Sequence, residues 1–439
     1  MEPVAIILAG GKGTRLWPLS RTYFPKPFVR IHDSERSLFQ DAVLRSLKFT
    51  EEDRVYIVVN EQHVPLVERQ LGELDVQIPK EQILPEPAPR DTLPAMLYAL
   101  LQIEGNPPVV MLPSDQYVKE EDVLAEAITR ATKSAGDHIV AMGVKPTEPH
   151  TGYGYIKPGN KINDRLYEVA EFKEKPDRAT AERYLAKGYL WNTFIHVFRK
   201  ELLIEEIRKN AEELFLTFVK YEGDARKVYP IIEPASLSED VLERTDRNAV
   251  FPLSITWSDL GSFELVHKLT EKDSEGNSSN TALIGVDARG NYVYSAEKKT
   301  VAILGLKNIF VVDTPDAIIV GNNDRSQDVK TVFKLLEQRK VPVTEYHTII
   351  PYPWGDVQMI KDDDSCSIAR IRILPGKSAR ISALPGTCFT TVTEVVEING
   401  SAVPPGGTVN AEGDVSILNQ GHGVAEIIRL ELKQRSEKH

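Results

Sequence analysis

The sequence predicts an α/β fold, a doubly wound and mostly parallel sheet flanked by helices, with shorter β segments completing the chain. Three observations carry that reading. Short apolar runs at Val4–Ala9, Val55–Val59, Val109–Leu112 and Ile139–Gly143 alternate with helix-period stretches near Leu38–Leu47, Val64–Leu74, Leu93–Ile103 and Asp122–Ala135, and strand alternating with helix implies such a sheet. Glycines 10, 11 and 13 break the chain directly after the first run, at the carboxyl end of a strand, where ligands of open α/β sheets collect. Beyond the polar stretch Glu271–Asn280, which reads as a linker, come strand-length pieces separated by turn residues: Ala282–Val286, Tyr292–Ser295, Val301–Leu304, Ile309–Val312 and Ala317–Val320. Asp324–Lys330 then leads into a helix ending near Lys340, read as structural. The expected division is 1–270, 281–340 and 345–439.

At 439 residues, two or three domains are expected. A composition of 41% hydrophobic and 27% charged residues is that of an ordinary soluble protein. A net charge of −11 argues against nucleic acid as a partner. No apolar run approaches the roughly 18 residues of a membrane span, and Val4–Ala9 is too short for a signal-peptide core. Cys366 and Cys388, the only cysteines, suggest neither a disulfide framework nor a zinc–thiolate site. The expected location is the cytoplasm.

Missing side chains at Gly10, Gly11 and Gly13 let backbone N–H groups approach a phosphate chain. Arg15 follows at once, and Lys26 lies between Pro25 and Pro27, which stiffen its loop. Lys12 sits between glycines rather than in a Gly-Lys-[Ser/Thr] ending, so the Walker pattern fails. Leu16 replaces the third glycine of the dinucleotide pattern. What remains is a phosphate cradle or a tight turn with surface cations. An acidic protein must place its cations locally, where a charge pair at 4 Å is worth about 4 kcal/mol at an effective dielectric of 20 against about 1 kcal/mol in water.

Further along, Glu86-Pro-Ala-Pro-Arg90-Asp91-Thr92 is a loop entering a helix capped by Asp91 or Thr92. Val109-Val-Met-Leu-Pro-Ser-Asp115 ends a strand on a carboxylate at the ligand edge. There Asp115 either caps the next turn or serves a hard ion such as Mg²⁺, which takes one or two carboxylates plus phosphate oxygens. Gly152 and Gly154 mark close backbone approach to a ligand, while Tyr153 and Tyr155 alternate across a strand. Lys175, taken alone, is a solvated surface lysine, and Asp259 a loop residue.

The longer string Leu8-Ala-Gly-Gly-Lys-Gly-Thr-Arg-Leu-Trp-Pro-Leu-Ser-Arg21, with Pro25-Lys26-Pro27, resembles the signature of sugar-1-phosphate nucleotidylyltransferases. In its Trp-Pro-Leu-Ser form it resembles the mannose-1-phosphate guanylyltransferases of the long, two-part type. Glu171-Phe-Lys-Glu-Lys175-Pro, Trp191-Asn192-Thr193 and Trp257-Ser-Asp259-Leu-Gly-Ser262 extend the likeness. The resemblance implies a Rossmann-like nucleotidyltransferase domain, a small β-helix-like region and a cupin-like C-terminal domain. It implies that Gly10, Gly11, Gly13 and Thr14, with Arg15 and Lys26, hold a nucleoside triphosphate, and that Arg90 and Asp91 lie near the nucleotide. Gly154, Glu171 and Asn192 would contact the sugar, Lys175 its phosphate, and Asp115 and Asp259 one Mg²⁺. Two positions depart from the pattern: Gln116 stands where the family has histidine, and Phe194 where it has glycine.

Tyr352-Pro-Trp-Gly355 resembles the opening of the family's phosphomannose isomerase domain, whose metal is held by clustered histidines and a glutamate. The corresponding region, Ile381–Gly400, contains no histidine, and only His422 and His439 follow Trp354. Isomerase activity is therefore expected to be absent, the domain serving stability or subunit contact, with Glu394 and Glu397 as surface or strand residues. The resemblance implies synthesis of GDP-mannose and pyrophosphate from GTP and mannose 1-phosphate, with Mg²⁺, in a homodimer. The alternatives are the same chemistry on another sugar 1-phosphate or nucleotide, or a non-catalytic protein that binds nucleotide sugars.

Overall fold

The computed structural model describes residues 2–11, 13–32, 34–134, 136, 138–163 and 165–433. Lys12, His439 and the end of the helix reading at Ala135 lie outside them. The first 270 residues form strands β1 (Val4–Leu8), β2 (Val55–Asn60), β3 (Ile83–Glu86), β4 (Pro108–Pro113), β5 (Tyr117–Val118), β6 (Ile139–Val144), β7 (Gly154–Asn163), β8 (Leu166–Lys173), β9 (Leu190–Arg199), β10 (Asn248–Leu253) and β11 (Trp257–Ser258). Between them run α1 (Leu38–Ser46), α2 (Val64–Leu74), α3 (Thr92–Gln102), α4 (Glu121–Ser134), α5 (Arg178–Ala186), α6 (Lys200–Asn210), α7 (Glu212–Lys220), α8 (Ala225–Val228) and α9 (Phe263–Leu269).

Nine strands make one sheet in the order β3-β2-β1-β4-β9-β6-β10-β8-β7. β1, β2, β3 and β4 are mutually parallel, and β6 is parallel to β10. The expectation of a mostly parallel sheet is corrected at its centre, where β9 runs antiparallel to both β4 and β6. The cause is the β7–β8 hairpin. It reverses the chain, so the strand that follows α5 enters the sheet head down. Both faces are covered. On one, Ala5, Ile7, Val110 and Leu112 pack with Phe39 of α1 and Ile128 of α4; on the other, Ile6 and Met111 pack with Met96 of α3 and Leu203 of α6. Local capping sets helix starts: Ser37 and Gln40 form a reciprocal capping box on α1, Asp91 caps α3 and Asp177 caps α5.

The next region holds β12 (Ser278–Ser279), β13 (Leu283–Val286), β14 (Tyr292–Ser295), β15 (Val301–Leu304), β16 (Ile309–Thr314) and β17 (Ala317–Asn322), followed by α10 (Val329–Gln338). Successive coils stack in parallel, β12 on β14 on β16 and β13 on β15, until β17 closes the stack antiparallel. A buried asparagine column ties the coils: Asn291 donates to the Asn277 side chain at 3.0 Å, and Asn323 donates to the Gly290 carbonyl at 3.1 Å. The supposed linker is corrected by the same column. Asn277 and Ser278 are buried, and Asp273 closes a turn onto the Asn277 backbone at 2.8 Å.

The second half of the opening signature turns out to be a joint. Leu16, Trp17 and Leu19 share one core with Phe263, Tyr292, Phe310, Val329 and Phe333. The Trp17 indole donates to the Val343 carbonyl at 2.9 Å. Arg21 is fully buried and pairs with Asp316 at 2.8 Å while its Nε donates to the Tyr346 carbonyl. Beyond it, eight antiparallel strands between Ile349 and Leu432 form one sheet. Ile371, Ile373, Phe389, Val396, Val403, Val415, Ile417 and Ile427, from six of those strands, meet in a single apolar core, so the sheet is rolled around them.

Candidate functional site

The site forms at the carboxyl edge of β1, β3 and β4. There the Ala9 amide extends pairing to Val58, and the Ser114 amide donates to Leu8 at 3.1 Å. These bonds hold the glycine turn beside the loop that carries Asp115. Gly11 and Gly13 sit at φ 102° and 60°, backbone that favours glycine. A Cβ on Gly13 would collide with the Lys26 side chain, so that glycine is what lets Lys26 pass under the turn. Thr14 opens a short 3-10 turn, and Arg15 on it is exposed.

Lys26 is buried, and its ammonium donates to Asp115 Oδ2 at 2.9 Å and to the Asp259 carbonyl. The sequence carries this lysine as a triphosphate ligand; the structure places it between the two acidic loops. Their meeting has a specific cause. β5 and β11 form a two-stranded antiparallel ribbon, Tyr117 opposite Ser258 and Val118 opposite Trp257. Asp115 lies just before one strand and Asp259 just after the other, which brings residues 144 positions apart to one place. Asp259 Oδ1 accepts from the Tyr153 hydroxyl at 2.7 Å and from the Gly261 amide at 3.0 Å. Tyr153 stacks on His150 at 3.9 Å and meets Trp191 and Trp257 edge-on. Burial, then the adjacent Asp259, pushes the Tyr153 phenol far up, so it stays a hydrogen-bond donor. Burial likewise pulls the His150 imidazole down, keeping it neutral.

Among the described residues no three His, Cys, Asp or Glu side chains gather into a metal cluster. Two carboxylates with no soft donor fit a hard divalent cation completed by phosphate oxygens, and the Asp115 side chain is one-third exposed.

The β7–β8–β9 group builds the second wall. Asn192 lies opposite Gly154 across β9 and β7, and a Cβ on Gly154 would press on Glu174. The Glu171 carboxylate accepts from Tyr184 at 2.7 Å and Tyr189 at 2.6 Å, which holds its pKa below the usual range. Lys175 has φ 43°, its amide donates to Tyr153, and its exposed ammonium pairs with Glu174 at 3.2 Å. Backbone of that kind is uncommon at residues other than glycine. Burial raises the Glu174 carboxyl.

Arg90 and Asp91 divide. The Arg90 Nε donates to the Tyr229 carbonyl at 2.9 Å, which directs it to the segment after α8. Asp91 is exposed with φ 67° and ψ −170°, a region occupied almost only by glycine. At Phe194, where the resemblance implies glycine, the backbone is one that glycine adopts without strain. The φ of Phe194 is 61°, and its ring leaves the strand for the helix-side core, edge-on to His196 at 5.7 Å. Tyr153 and Glu174 line this region without having been assigned a site role from the motifs, their signal being adjacency to Gly154 and Lys175, whereas Gln116 stood out only as a departure from the family pattern.

Residues 4–276 match the nucleotidyl transferase family, and residues 281–336 match the MannoseP isomerase/GMP-like beta-helix domain. The xanthan biosynthesis protein XanB of Xanthomonas campestris pv. campestris is 36% identical over 390 residues, covering 85% of this chain and 82% of the relative. A mannose-1-phosphate guanylyltransferase of Salmonella montevideo is 34% identical over 395 residues, at 85% and 82% coverage. The crystal structure of mannose-1-phosphate geranyltransferase from Thermus thermophilus superposes with a TM-score of 0.71 at 29% identity, covering 77% of this chain and all of that one. The chain belongs to the nucleotidyl transferase family, with a MannoseP isomerase/GMP-like β-helix domain joined to its catalytic fold.

Proposed function

We propose that the protein joins GTP and mannose 1-phosphate to give GDP-mannose and pyrophosphate. The observation that carries the reading is the Lys26 ammonium bonded to both acidic loops beside a glycine turn. The guanylyltransferase at 34% identity supports the substrate pair. The sugar phosphate oxygen is already an anion, so the reaction needs no side-chain nucleophile. The oxygen attacks the α-phosphorus in line, the bond to the β-phosphate oxygen breaks, and pyrophosphate leaves with that electron pair. Catalysis then rests on positioning and on neutralising charge.

In this scheme Gly10, Gly11, Gly13 and Thr14 cradle the triphosphate, and Arg15 and Lys26 offset charge on the departing pyrophosphate. Lys175 holds the sugar phosphate, Gly154, Glu171 and Asn192 fix the sugar, and Asp91 with the Arg90 loop borders the nucleotide. Asp115 and Asp259 would hold Mg²⁺, which when bound supplies charge neutralisation at the phosphates. The reading assigns no isomerase to the C-terminal sheet; Ile371, Ile373, Phe389, Val415 and Ile417 in its apolar core support that expectation. Pyrophosphate release with Mg²⁺, across four nucleoside triphosphates and both mannose 1-phosphate and glucose 1-phosphate, tests the proposal. GTP with mannose 1-phosphate is the expected best pair. A clear preference for another pair removes the substrate assignment, and Asp115→Ala and Lys175→Ala variants at near-normal rates remove the mechanism.

A further inference from the structure

The residue after Asp115 is not among those assigned a role above, yet it lies at the centre of the site's support. The Gln116 side chain is buried. Its amide Nε2 donates to the Thr193 carbonyl at 2.6 Å, and its Oε1 accepts from the Trp257 indole Nε1 at 2.9 Å. Its backbone carbonyl accepts from Arg45, itself buried and paired with Glu121 at 3.2 Å. Thr193 is the neighbour of Asn192 on β9, and Trp257 lies two residues before Asp259 on β11. One amide therefore touches the three segments that carry Asp115, Asn192 and Asp259.

We propose that Gln116 is a positioning residue that sets the two carboxylates and the sugar-side strand in one frame, acting through Trp257 and Thr193. The inference rests on the functional reading above. The chemistry demands a side chain that donates and accepts at once. A primary amide does both without carrying charge, and so does a neutral imidazole with one N–H and one bare nitrogen. A carboxylate only accepts, and would face the Thr193 carbonyl oxygen with no proton between them. A thioether does neither. The glutamine thus meets the requirement that a histidine meets, by different atoms.

The test compares the parent with Gln116→Met and Gln116→His at pH 8, where imidazole is neutral. Two readouts are taken: Mg²⁺-dependent pyrophosphate release, and the indole N–H resonance of Trp257, assigned by its loss in Trp257→Phe. Gln116→Met keeps the volume, so the folded variant is expected to show at least a tenfold lower kcat, a several-fold higher half-saturating Mg²⁺ and an upfield-shifted Trp257 resonance. Gln116→His is expected to recover most of both losses. A folded Gln116→Met protein with parental kcat, Mg²⁺ requirement and Trp257 resonance overturns the proposal. If the parent were inactive with every substrate pair, the functional reading would fall alone. The resonance would then decide the link itself, an unshifted signal in Gln116→Met overturning it and a shifted one restored by Gln116→His upholding it.

Discussion

Single hydrogen bonds decide how the acidic pair is presented. Tyr153 gives Asp259 one of its two donors on Oδ1. A hydrogen bond to a charged group is worth about 1.5–3 kcal/mol, roughly ten- to a hundredfold in an equilibrium. Tyr153→Phe is expected to raise the half-saturating Mg²⁺ by about that factor with little change in melting temperature. An unaltered requirement in a Mg²⁺ titration would detach Asp259 from the metal. Glu86 makes a different case. It is buried at the end of β3 and accepts from the Tyr229 hydroxyl at 2.9 Å; burial pushes its carboxyl from 4.5 up to about 7, the tyrosine opposing. Between those values the folded state holds a proton that the unfolded chain releases, so stability falls as pH rises through that window. Glu86→Gln keeps the acceptor without the charge. Its melting temperature should exceed the parent's, with a gap wider at pH 8 than at pH 5; a gap independent of pH would refute the shifted carboxyl.

At the level of elements, the legible parts of the sequence were those whose pattern is local. Val4–Leu8, Val55–Asn60 and Ile139–Val144 are short apolar runs that read as buried strands and form them, and α1 to α4 fall where the period of 3.6 lies. Four-residue β3, with Pro85 inside it, offered too little pattern. The β5–β11 ribbon is two residues a side, and its meaning is the pairing of distant segments, which no local period encodes. For the same reason the motifs gave the identities of Asp115 and Asp259 but not Lys26 between them. The start of α3 yields a prediction of its own. Asp91 caps that helix from a conformation suited to glycine, a strain of about 1–3 kcal/mol, whereas Gly in place of an Asp cap loses only a few tenths of a kcal/mol. Asp91→Gly should therefore raise the melting temperature while raising KM for GTP. A more stable variant with unchanged KM would remove Asp91 from the nucleotide site.

Across the whole molecule, the glycine turn cannot be separated from the coils that follow the catalytic sheet. Trp17 and Leu19 lie in a core completed by Tyr292, Phe310 and Phe333, and the Thr22 and Tyr23 amides donate to Thr344 and Glu345. A chain ending at residue 276 would uncover that core beside the turn, and is expected to be insoluble or inactive. One ending at residue 348 keeps every one of these contacts and should retain pyrophosphate release. Comparable activity in the shorter chain would show the joint to be dispensable. The rolled sheet at the C-terminal end has another kind of consequence. Its interior is packed by apolar side chains from six strands, and a lone imidazole placed among them would be buried without a partner, at a cost that only further ligands and water could offset. No single substitution along a path toward a hydrated metal centre improves on the step before it. Sealed in this way, the interior resists stepwise conversion to a metal site, a constraint that does not extend to the outward-facing side chains.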